Sequence, residues 1–114
     1  MRENKLAELS MQLAVDGLKF ADEIEGHYSL KNQFERSITS IGANIREANY
    51  AQSKADFISK LQIALKECYE TEYWLELFSK TDIVKSEQIK VLLHSCGVIR
   101  RMLVSSVTTI KNKQ

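Results

Sequence analysis

Several residue types in this chain could carry chemistry, beginning with the carboxylates Glu47, Glu67, Glu70 and Glu72. Paired acids at helical spacing can bind two metal ions or share a proton in acid–base work. Bundle metal sites of that kind also need a Glu-x-x-His pair, and none occurs. His27 and His94 lie far apart and belong to no cluster with ligand spacing. Cys68 and Cys96 fall on predicted apolar helix faces, where a thiol behaves as a small hydrophobic group. The chain has no Gly-rich phosphate loop and no nucleophile motif. The expectation is therefore a protein that is not an enzyme, with no catalytic, cofactor or metal site.

The remaining polar residues must be placed by whatever elements carry them. The 114 residues contain no proline and only four glycines, so little interrupts helix and the punctuation of β structure is missing. Hydrophobic residues at 44% and charged residues at 27% are an ordinary balance for a folded chain. The length suits one domain with its own core. No run approaches a membrane span and the N-terminus lacks the order of a signal peptide, so a cytoplasmic protein without membrane contact is expected.

Apolar residues at three- and four-residue steps predict helices over about residues 3–25, 30–51, 54–80 and 83–111. Leu6, Leu9, Leu13, Gly17, Phe20 and Ile24 form the stripe of the first, with Gly26 as its end and Ser29 as a cap for the second. The second buries Leu30, Phe34, Ser37, Ile38, Ile41, Ile45 and Ala48. After a turn at Ala51 to Ser53, with Ser53 as cap, the third buries Phe57, Leu61, Ala64, Leu65, Cys68, Thr71, Leu75 and Phe78. Ile89, Leu92, Cys96, Ile99, Leu103, Val107 and Ile110 face the core from the fourth. Short connections make consecutive helices antiparallel neighbours, and the fold class expected is an all-α, antiparallel up-down four-helix bundle.

Gln33, Arg36, Ser40, Asn44 and Glu47 run beside the core stripe of the second helix at helical spacing. Polar residues at such a boundary pair with each other or with a neighbouring helix, because an unpaired buried polar group costs about 1–3 kcal/mol. Glu72 falls within the apolar arc of the third helix, and antiparallel pairing predicts an ion pair between Arg36 and Glu72. These six residues form an expected interhelical polar seam.

On the back of the third helix Ile63, Trp74 and Leu77, with Tyr73 beside them, form an outer apolar patch and the expected subunit interface. Met11, Val15 and Leu18 on the first helix, and Val91, Val98 and Met102 on the fourth, repeat this two-sided apolarity. So much apolar surface implies self-association. The net charge is only +1, yet four acids and no base lie between Glu67 and Glu76. Beyond Glu87 the charged residues are Lys90, Arg100, Arg101, Lys111 and Lys113. Arg46, Arg100 and Arg101 are the residues expected to contact nucleic acid if any is bound.

Leu30, Gln33, Arg36, Ser37, Ser40, Ile41, Asn44, Ile45, Glu47 and Ala48 follow a pattern L-x-x-Q-x-x-R-S-x-x-S-I-x-x-N-I-x-E-A/G. Phe57, Leu61, Ile63, Ala64 and the acids after Lys66 continue it. The stretch resembles the bacterial four-helix bundle family named for proteins encoded in intervening sequences of large-subunit ribosomal RNA genes. The resemblance implies an up-down bundle assembling as a ring-like homopentamer. Related proteins include the accessory protein of diversity-generating retroelements, a basic pentamer that binds nucleic acid and works with a reverse transcriptase. The near-neutral charge here departs from that relative. The family name describes where the genes lie. The reading is a scaffold or adaptor that assembles with itself, with a nucleic-acid-binding accessory factor as the alternative.

Overall fold

A computed structural model describes residues 2–113, with side chains from residue 4 onward. Four helices account for most of them: α1 (Arg2–Ala21), α2 (Tyr28–Asn49), α3 (Lys54–Thr81) and α4 (Gln88–Asn112). Each packs on its neighbours in chain order and α4 closes back on α1, while the diagonal pairs keep their backbones apart and meet only through side chains in the core. The result is an all-α four-helix bundle of 46 × 20 × 19 Å, its long dimension set by the 28-residue α3.

One apolar core runs the length of the bundle. Phe20, Phe34 and Phe78 meet near one end, with ring centroids 5.6, 5.7 and 6.2 Å apart. The predicted stripe of α4 is buried through Val107, and Ile110 is half-buried. On α3 the core position is Ile58, and Phe57 is only half-buried beside it. α1 approaches α2 closely at Gly17, where an added Cβ would stand 2.4 Å from Ile38 Cδ1. Within the core, Thr71 Oγ1 donates to Ser37 Oγ at 2.9 Å, and Ser37 Oγ donates to the Phe34 carbonyl. That bond sets the level of α2 against α3.

The helix ends differ from the sequence expectation where turn chemistry takes over. α1 stops at Ala21, and the chain tightens through backbone bonds from Glu23 to Phe20 and from Ile24 to Ala21, tucking Ile24 into the core. Gly26 and His27 then both adopt left-handed conformations, with φ of 69° and 49°. His27 therefore holds the position before α2 and makes no side-chain cap, and Ser29 lies inside the helix. Ser53 does cap α3, accepting from the Asp56 amide at 3.0 Å. α3 ends at a left-handed Asp82, and the segment after it buries Val84 before α4 begins at Gln88, later than periodicity suggests.

Candidate functional site

The seam between α2 and α3 is built from the polar stripe read in the sequence, but its ion pairs are redistributed. Arg36 Nη1 donates to Glu67 Oε2 at 3.1 Å, and Arg36 Nη2 pairs with Glu70. Lys60 Nζ lies 3.1 Å from Glu47 Oε1. Ser40 donates to the Arg36 carbonyl at 2.7 Å and Asn44 to the Ser40 carbonyl at 2.9 Å, so both are satisfied on their own helix. Gln33 is exposed.

The expected Arg36 to Glu72 pair does not form. Ser37 and Thr71 face one another in the core, and the helices run antiparallel. The residues immediately before them, Arg36 and Glu70, therefore turn to the same outer side, with Glu67 one turn away. Glu72, immediately after Thr71, turns the opposite way, toward α4. There Arg100 Nε donates to Glu72 Oε2 at 2.8 Å, and its guanidinium carbon lies 5.6 Å from the Tyr69 ring centroid. A helical side chain leans toward its own N-terminus, which is how Arg100 reaches along α3 to Glu72. The hydrogen bond to Glu72 raises the Arg100 pKa, against the opposing effect of burial.

Arg100 is thus committed within the bundle. Arg46 and Arg101 are exposed, but Arg46 stands on α2 and Arg101 on α4, the diagonal helices of the bundle, whose backbones do not come close. One protomer does not gather the three arginines on one face. Both α4 arginines fold over Gly97: Arg101 Nη1 and Arg100 Nη2 come within 3.3 and 3.5 Å of where its Cβ would be. Cys68 and Cys96 are buried free thiols on adjacent helices, Cys96 Sγ donating to the Cys68 carbonyl at 3.5 Å. Among the described residues no group of three His, Cys, Asp or Glu side chains is arranged to hold a metal ion. Nor is any helix there long and apolar enough to cross a membrane.

The outer patch of α3 is placed beside the seam. Ile63 is 38% exposed, while Trp74 and Leu77 are half-buried. The Arg36, Glu67 and Glu70 cluster stands between Ile63 and Trp74. Tyr73 projects 58% exposed, its ring 5.1 Å from that of Trp74 at an interplanar angle of 75°. The Trp74 indole N–H is buried and has no protein acceptor among the described residues.

A feature that sequence reasoning did not assign is a groove of about 570 Å³ between α1 and α2. Met11, Val15 and Leu18 line its α1 side, 51%, 38% and 41% exposed. Ser10 and Gly42 meet where the two helices approach, and Arg46 and Glu47 also line it. The signal was the second apolar stripe of α1. Periodicity reveals such a stripe but not that α2 would border it with Thr39, Gly42 and Ala43.

No curated protein matches the sequence. The solved structure of a protein of unknown function from the S23 ribosomal protein family of Bacteroides thetaiotaomicron superposes with a TM-score of 0.87 at 41% identity. That match covers 95% of this chain and 99% of the other. The family model described as 23S rRNA-intervening sequence protein matches residues 2–105, taking in the α2–α3 seam, both arginines of α4 and the groove. With the bundle and the matched length in agreement, the chain belongs to the 23S rRNA-intervening sequence protein family.

Proposed function

We propose that this protein is a non-enzymatic assembly module: a homo-oligomeric four-helix bundle, pentameric by family resemblance, serving as a cytoplasmic scaffold or adaptor. The observation that carries the reading is the apolar surface left outside a complete core. Met11, Val15, Leu18, Ile63, Val91 and Val104 are each between 38% and 51% exposed, and Tyr73 more so. Large side chains grouped in outer stripes favour a protein interface. Light scattering coupled to size exclusion at micromolar concentration tests it. A mass about five times 13.1 kDa is expected, and a monomer refutes the assembly reading.

A second reading, a nucleic-acid-binding accessory factor, is favoured by one observation: α4 has no acid and exposes Lys90, Arg101 and Lys111, with Arg100 taken up by Glu72. Repetition around an assembly would multiply that charge. Salt-dependent binding to mixed RNA supports this alternative, and no binding at low salt removes it.

A further inference from the structure

We infer that copies of this chain join head to tail, the aromatic ridge of α3 on one copy filling the α1–α2 groove of the next. The inference rests on the homo-oligomeric reading above and specifies its contact. The groove is a trough whose small residues, Ser10, Ala14 and Gly42, lie beside the exposed Met11 and Val15. Its volume of about 570 Å³ is in the range that encloses a drug-sized ligand, which leaves room for two aromatic side chains. The same chain supplies such a pair, the exposed Tyr73 and its T-shaped neighbour Trp74. Aromatic anchors seated in pockets dominate the energetics of interfaces.

Charge selects the occupant. Arg46 lines the groove and makes no ion pair among the described residues. The α3 ridge is acidic: Glu67 and Glu70 share the one cation of Arg36, and Glu76 is exposed with no ion pair among the described residues. The groove opens on the α1–α2 side of the bundle, and Ile63 and Trp74 flank the α2–α3 side. Adjacent sides of a four-cornered bundle are steeply inclined to one another. Joining them turns each copy relative to the last, the geometry that gives a ring when the rotation closes.

The test uses two full-length variants at exposed positions, Val15→Lys in the groove and Tyr73→Lys on the ridge, with circular dichroism confirming unchanged helix. Each alone is expected to lose the assembly and give a monomeric mass by light scattering. Mixed in equal amounts, they are expected to give a dimer of about twice 13.1 kDa, because one intact ridge meets one intact groove and the other ends are blocked. Variants that keep the wild-type mass overturn the inference and leave self-assembly standing. Two monomeric variants whose mixture stays monomeric also overturn it, since a groove-to-ridge contact must be restored by mixing. A monomeric wild-type chain overturns both readings.

Discussion

Replacing Glu72 with glutamine discriminates between its two candidate partners, Arg100 and Arg36. Side-chain exposure is 18% for Glu72 and 27% for Arg100, so the pair sits between a surface ion pair worth under about 1 kcal/mol and a buried one whose disruption costs about 3–5 kcal/mol. The contact is a charge-assisted hydrogen bond of 2.8 Å, and Arg100 also lies against Tyr69, so a loss of about 1–2 kcal/mol is expected for Glu72→Gln or Arg100→Met. In a chain of this size that lowers Tm by about 4–8 °C. The assay is a double-mutant cycle at one fixed protein concentration, since association shifts Tm by mass action. Coupling of about 1 kcal/mol between Glu72 and Arg100, and none between Glu72 and Arg36, is the expected result. Equal coupling in the two cycles, or none in either, refutes the assignment.

Removing either hydroxyl of the buried Ser37 and Thr71 pair is expected to cost about 1–3 kcal/mol in Ser37→Ala or Thr71→Val, with the double variant losing less than the sum, as read by denaturant unfolding. Ser53→Ala removes the cap of α3 and is expected to cost about 1 kcal/mol by the same measurement. Contact with the Cys68 thiol and burial push the Cys96 thiol far up, so it stays protonated in the fold. Its unfolded counterpart ionises above about pH 8.5, the unfolded state then binds fewer protons, and stability falls with rising pH by up to about 1.4 kcal/mol per unit. Below that pH the contribution is complete. Melting from pH 8 to 10 is expected to show a shallower decline in Cys96→Ala than in the wild type.

The bundle was legible because burial follows helical period. Phe34, Ile38, Ile41 and Ile45 are all fully buried, as their spacing requires. The cap at Ser53 was legible because its chemistry is local. The end of α1 was not, since two successive left-handed residues, one of them His27, depend on how Ile24 reaches the core. Glu72 was recognised as anomalous within an apolar arc, but its partner depends on which way a residue turns when two helices are set at one level. That level is fixed by a hydroxyl pair whose bond no spacing announces. The groove belongs to two helices at once, so neither helix alone predicts it. Ile63, Trp74 and Leu77 were read as a continuous patch, whereas the reach of Arg36 to Glu67 and Glu70 places charge within it.

Gly97 is buried on α4, and the room left by its missing side chain is shared by two guanidinium groups with different destinations, Arg100 toward Glu72 and Arg101 toward solvent. A methyl group there would meet Arg100 at an ordinary contact distance and crowd only the flexible end of Arg101, whereas a larger side chain would displace both, so the internal brace between α3 and α4 and the outward positive charge of α4 are linked through one small volume. A bulky substitution at residue 97 would shift bundle stability and surface charge placement together, making this a position where architecture and outward recognition are inherited as a single trait.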